Sequence, residues 1–272
     1  PFGQTGPYSK WKASELISYA VGGYAHLTGL PEREPLKSYG HIIEYHTGVH
    51  AAVATLGALW RSSLTGISDH VDVSIQAATA YVVDQPPLRY RRTGNLEARV
   101  GSRNSSAQPP PGYFSELLPC VDGYMHVHSS TSRAKPTSIS DLIGDPKWND
   151  YTNEGLPPGK DVISEYLAPW LLDKTREDML WKAQAVSAPW GSVLRVDEVP
   201  SDPQHVERGY FDEVDHPVVG KVRQPGFPFI MRDTPWQMGR APILGEHSEE
   251  VLGQLLQIDQ DEIGRLRERG VV

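Results

Sequence analysis

In the stretch GHIIEYHTGVHAAVATLGALW, Gly40 to Trp60, one carboxylate, Glu44, stands among three imidazoles, His41, His46 and His50, at the head of a long apolar run. Several chemistries are open to such a set. His46 and His50 are four residues apart, so on a helix they share a face, the spacing that zinc sites use. The Glu that follows the first His in such a motif is missing, and Tyr45 separates Glu44 from His46. With 10 histidines in the chain the spacing also arises by chance, and His50 then reads as a packing or hydrogen-bonded residue. Glu44 has its own two readings. A carboxylate at a helix N-terminus is favoured by free backbone N–H groups and the macrodipole, which suits a nucleophile and suits equally a charge that merely opens the helix.

Other candidates carry less chemistry. Cys120, in LLPCVDGY, has an apolar strand context and no adjacent base, the pattern of an inert core thiol. GQTGPY near the start has glycines but lacks the strand–GxGxxG–helix setting of a phosphate loop, and reads as a turn. Arg89, Arg91, Arg92 and Arg99 flank a flexible segment, where they could meet phosphates or cover surface.

Composition bounds the options. With 272 residues, 39% hydrophobic and 22% charged, the chain is long enough for a sizeable core in one large domain or two smaller ones. The net charge of −8 argues against a general nucleic-acid binder. A single cysteine excludes an internal disulfide framework and fits a reducing, cytoplasmic compartment. No apolar run approaches the ~18 residues of a membrane span, and no signal-peptide pattern is present. The start, PFGQTGPY, lacks a methionine and reads as an internal one, so part of the working protein is expected to be missing.

The elements that must position these residues follow from periodicity. ASELISYAVGGYAHLTG reads as a helix with Ser14 as N-cap, weakened at Gly22-Gly23. A thin Ala- and Gly-rich helix is expected from about Thr47 to Ser62. VDVSIQ alternates like a strand with Val71, Val73 and Ile75 on one face, followed by a helix from about Ala77 to Tyr90. RRTGNLEARVGSRNSSAQPPPGY reads as linker and loop. YFSELLPCVDGYMHVHSS predicts two strands around the turn Asp122-Gly123. Three amphipathic helical segments follow: SISDLIGDPKW, VISEYLAPWLLDKT with Pro169 inside, and REDMLWKAQAV behind a Thr175 cap. FDEVDHPVVGKVRQPGFPFIM returns to strands and turns, and two short helices split near Asp259 close the chain.

Several separated pieces of the chain, in the family's order, resemble the class III (family III, CaiB/BaiF-type) CoA-transferases, among them formyl-CoA transferase and the related racemases. They include FGQTGPY, GGYAHLTG, TGVHAAVATLGALWRSSLTGISDHVDVSI, PCVDGYMHV, LIGDPKW, DPQHVERGYF, HPVVGKVRQPGFPF and RAPILGEHSEEVLGQLLQ. The resemblance implies an α/β protein: an incomplete Rossmann-like large domain plus a smaller α/β domain, in a family whose chains interlock as dimers. Large-domain segments would be 1–95 and 206–272, the linker and active-site loop 96–111, and the small domain 112–205. The family's N-terminal portion is absent here, so uncovered apolar surface and an oligomeric partner, the same chain or another, are expected.

The family's catalytic carboxylate is an Asp just before the Gly that opens the thin helix; the matching position here is Glu44. The implied reaction moves CoA between an acyl-CoA thioester and a carboxylic acid. The carboxylate attacks the thioester carbonyl, a carboxylate-bound anhydride forms, and returning CoA thiolate gives an enzyme thioester that the incoming acid resolves. Glu in place of Asp shifts the carboxylate by ~1.5 Å, a misplacement that can cost ~100-fold in rate. The alternative is therefore a non-catalytic or complementing subunit of a heteromeric transferase. The family's glycine-rich loop corresponds to Ser105, Ser106 and Ala107, with Gln108 matching its Gln. Ser14 stands where the racemase branch has a His, which argues against racemisation. Phe2, Gly3 and Gln4 correspond to backbone near the CoA pantetheine. The resemblance implies no metal and no tightly bound cofactor, with coenzyme A entering as a substrate thioester, and neither nucleic-acid nor membrane partners.

Overall fold

The computed structural model describes residues 1–83, 85–101, 114–129, 137–146 and 163–272. The chain divides into two compact units, Pro1–Val193 and Leu194–Val272, each combining helices with antiparallel strands.

In the first unit, Ser14 takes the extended backbone of an N-cap before helix α1 (Glu15–Val21), although its hydroxyl makes no capping bond. Gly23, at φ +91, turns the chain out of α1 and into the short helix α2 (Tyr24–Leu27), a conformation that costs glycine nothing. Gly22 has a different reason to be there. A Cβ on it would lie 2.3 Å from the Cβ and Cγ2 of Thr79, so α1 and α4 (Ile75–Val82) approach closely through the missing side chain.

Helix α3 (Ile42–Thr65) begins earlier than the apolar pattern indicated and ends where Gly66 adopts φ +71 and donates its N–H to the Ser62 carbonyl at 2.8 Å. It buries Ile43 and Thr47, whereas Val49, Val53, Leu56, Leu59, Trp60 and Leu64 are each at least 61% exposed. The expected strand at Val71–Ile75 is not formed. Val71–Val73 belong to neither strand nor helix, Ser74 opens α4 with its Oγ accepting the Ala77 N–H at 3.2 Å, and Ile75 is already helical. Nor does one helix run from Ala77 to Tyr90: α4 stops at Val82 and a second helix, Gln85–Thr93, follows. Pro86 and Pro87 lack an N–H for an ongoing helix but fit a new first turn.

The rest of this unit is a small α/β module. Strands β1 (Ser115–Cys120) and β2 (Gly123–His128) pair antiparallel, with Ser115 opposite His128 and Cys120 opposite Gly123, and β3 (Gly191–Ser192) adds to the free edge of β2. Alternation sends Leu118, Cys120, Met125 and Val127 to one face. They pack on Leu167 and Leu171 from the segment Ile163–Leu171, on Met179 and Ala183 of helix Arg176–Ala185, and on Trp190. Each fully buried Leu, Met or Val among them stabilises by about 1.5–3 kcal/mol. Thr175 caps the helix as expected, its hydroxyl accepting the Asp178 N–H at 3.2 Å.

The second unit holds a hairpin of β4 (Phe211–His216) and β5 (Gly220–Pro225), braced by a Lys221–Glu213 pair at 2.7 Å. Its last helix, Gln260–Glu268, is capped by Asp259, whose carboxylate accepts the Glu262 N–H at 2.8 Å. Among the described residues no helix is long and apolar enough to cross a membrane.

Candidate active site

The geometry around Glu44 is built by a residue 29 positions away. Helix α3 opens with orphan backbone donors, as every helix does, and its own N-cap, His41, supplies no side-chain cap. Glu15, in the first turn of α1 and only 6% exposed, takes that role. Its Oε1 accepts the Ile43 N–H at 3.0 Å and its Oε2 accepts the Glu44 N–H at 3.1 Å. Lys37 brings its ammonium to 3.7 Å from Oε1 and donates to the carbonyls of Ser38 (2.8 Å) and Gly40. A negative group at a helix N-terminus also meets the positive end of the dipole.

Glu44 is the third residue of α3. A Glu at that position ordinarily folds back to cap the N-cap residue's backbone. Glu44 does not: its carboxylate lies 45% exposed, and its Oε2 is met by His41 Nδ1 at 2.8 Å. A carboxylate only accepts hydrogen bonds, so the contact places a proton on Nδ1. Among the described residues Glu44 thus has one oxygen held by His41 and no hydrogen-bond partner for the other, and its own N–H is held by Glu15.

Ligand atoms of Glu15, His41 and Glu44 lie within 4.8 Å of one another. Both Glu15 oxygens already accept backbone N–H groups and the Lys37 ammonium stands beside them, so a cation there would displace bonds and meet like charge. His46 and His50 do share a face as their spacing requires. Their Nε2 atoms lie 3.0 Å apart, which makes one ring the donor, and His50 packs edge-on against Tyr81 of α4 at 5.3 Å. The pair ties α3 to α4.

The other singled-out residues fall in different places. Phe2 sits in an aromatic cluster with Tyr8 and Trp11, and Gly3, at φ +88, leads to Gln4, whose N–H donates to Asp72 Oδ2 at 2.8 Å. The Pro1 carbonyl accepts the Gln76 N–H at 3.1 Å, so this segment is anchored at the start of α4. Ser105, Ser106, Ala107 and Gln108 lie outside the described residues. Arg99 donates to the Leu30 and Arg33 carbonyls at 3.1 and 2.9 Å, and Arg89 pairs with the buried Glu97, so both brace the fold. Burial pushes the Cys120 thiol up from its ordinary range, as an inert core cysteine requires. Burial alone would raise the neighbouring Asp122 carboxyl too, but the Arg176 N–H at 2.8 Å and guanidinium outweigh it and hold it low. Glu15 and Lys37 escaped the sequence reading. An acidic residue in a helix's first turn is ordinary, and nothing local tells that Glu15 serves another helix.

Comparison with known proteins bears on this site. The formyl-CoA:oxalate CoA-transferase of Afipia carboxidovorans is 26% identical over 98% of this chain and 68% of its own length. That of Streptomyces avermitilis is 28% identical over 98% of the chain and 69% of its own. A CAIB/BAIF family protein from Brucella suis has the same fold at a TM-score of 0.75, with 24% identity over 93% of this chain and 66% of that one. Rv3272 from Mycobacterium tuberculosis superposes at 0.68 with 18% identity, over 90% and 65%. The chain thus spans about two thirds of the length of the proteins it matches. The model of CoA-transferase family III matches residues 1–248, and the chain belongs to that family of CoA-transferase enzymes.

Proposed function

We propose that this chain carries the nucleophile of a CoA-transferase that moves CoA between an acyl-CoA thioester and a carboxylic acid, and that the nucleophile is Glu44. The observation that carries the reading is the half-exposed carboxylate: Glu15, in place of the N-cap His41, caps the Ile43 and Glu44 N–H groups, and the released His41 ring holds one Glu44 oxygen. The free oxygen attacks the thioester carbonyl, expelling CoA thiolate and leaving a mixed anhydride on Glu44. The thiolate then attacks the carbonyl carbon of Glu44, releasing the first acid and forming an enzyme thioester. The incoming acid displaces CoA to a second anhydride, and CoA returns to take up the new acyl group. Every bond broken is matched by one of similar reactivity, so no step is a trap. No cofactor is needed beyond CoA itself.

Anhydride chemistry requires water to be excluded, and a carboxylate that is 45% exposed is reached by water. The reading therefore includes closure of the site by a second chain, and the apolar flank of α3 suits such an assembly. The same flank favours the second reading, in which this chain complements a competent partner in a heteromeric transferase.

Incubation with formyl-CoA and with acetyl-CoA, hydroxylamine or borohydride trapping and peptide mass spectrometry separate the two. A modified Glu44, lost in Glu44→Ala, supports the first. An unmodified Glu44 in a preparation that turns over, with the label on a partner chain, supports the second.

A further inference from the structure

We propose that His41 is a positioning residue for Glu44, and that the two form a matched pair in which the longer Glu side chain is required because His41 is where it is. The inference rests on Glu44 as the nucleophile and goes beyond it. A Glu carboxylate on a helix surface has three side-chain torsions to fix, and nothing in the helix itself selects one arrangement. Here one contact does: His41 Nδ1 at 2.8 Å from Oε2. His41 can make it because, as N-cap, it stands outside the helix with φ −108 and ψ 48, and its side chain makes no capping bond.

Glu15 does the capping that the N-cap side chain would do, which leaves the His41 ring free for Glu44. Among the described residues the charged groups around the imidazole are Glu44, Glu15 and, beyond Glu15, the Lys37 ammonium. The imidazole is held by Glu44 through Nδ1, so Nε2 is left to face solvent on a ring that is 63% exposed. Shortening Glu44 by one methylene would withdraw the carboxylate by ~1.5 Å, beyond hydrogen-bond reach of Nδ1.

Two measurements on the full chain test this. In the first, ¹⁵N NMR of labelled histidine, with His41 assigned from its loss in His41→Asn, reads the tautomer at about pH 8, where a free ring is neutral. The wild type should show a protonated Nδ1, and Glu44→Asp and Glu44→Ala should release it to the mixture of a free imidazole. An identical tautomer in all three overturns the pairing.

The second measurement follows the rate at which formyl-CoA or acetyl-CoA labels residue 44. His41→Ala should slow labelling about tenfold, the size of a lost charge-assisted hydrogen bond, and His41→Asn, which keeps an N–H donor, should restore most of it. In a Glu44→Asp background the same His41→Ala change should alter the rate less than ~2-fold, because no contact remains to be lost. Equal labelling of wild type and His41→Ala overturns this inference alone. A wild type that neither compound ever labels, in a preparation that turns over, overturns the nucleophile assignment and this inference together.

Discussion

Replacing Glu15 by Gln tests the tertiary device on which the candidate site stands. The Glu15 carboxylate accepts two N–H groups, from Ile43 at 3.0 Å and Glu44 at 3.1 Å, in a position that is 6% exposed. A charge-assisted hydrogen bond contributes about 1.5–3 kcal/mol, and a buried donor left unmade costs about 1–3 kcal/mol. Gln keeps one acceptor oxygen and turns an NH2 group toward the other backbone N–H, donor against donor. One bond is therefore lost outright and the other loses its charge. The expected local cost is about 3 kcal/mol, or on the order of 100-fold in the opening equilibrium of the first turn of α3. Amide hydrogen exchange at Ile43 and Glu44 reads that equilibrium directly. Both amides should exchange on the order of 100-fold faster in Glu15→Gln, while amides in the small module, such as Val127, keep their wild-type rates. Lys37→Gln is the graded control: its ammonium is 3.7 Å away and partly solvated, so the effect should stay under about tenfold. Unchanged exchange at Ile43 and Glu44 in Glu15→Gln would refute the capping role and remove the reason given for the His41 ring being free to hold Glu44.

Three further outcomes follow from particular contacts. Gly22→Ala should destabilise the first unit by about 1–3 kcal/mol, measured as a lower thermal midpoint, and Thr79→Ala should not rescue it, because the Thr79 Cβ itself lies 2.3 Å from the added atom. Burial, then the neighbouring His126, hold the His128 ring below its ordinary 6.5, so the unfolded chain takes up that proton first as pH falls. The stability this contributes is fully present above 6.5 and is lost as pH falls from there through the depressed folded value; urea midpoints between about pH 5 and 8 should show that slope flattened in His128→Gln. Thr175→Ala should cost about 1 kcal/mol through loss of the cap on the Asp178 N–H, seen as a shifted urea midpoint and restored by Thr175→Ser.

Short-range physics made much of this chain legible in advance. The Thr175 cap, the split between helices near Asp259, the β1–β2 hairpin around Asp122 and the weak point at Gly22-Gly23 depend on residues a few positions apart, and each stands where the residue types put it. The helix bearing Glu44 was visible from its Ala-rich face, and the ordered motifs named its family. The strand at Val71–Ile75 failed because alternation fixes only which side chains could share a face; pairing needs a neighbouring strand, and none is found beside it among the described residues. The helix after it was read through Pro86 and Pro87, where a local rule should have divided it.

Residue 44 shows where sequence stops. Its type and place at a helix start could be read from the letters, and both a nucleophile and a plain helix-opening charge remained open. Which oxygen is held and which is free depends on Glu15 being folded under the start of α3 and on His41 being released from capping. Helix caps are local when the cap comes from the helix's own sequence. Here the cap comes from another helix, across a separation that no periodicity spans, so only the packing of α1 against α3 could decide it.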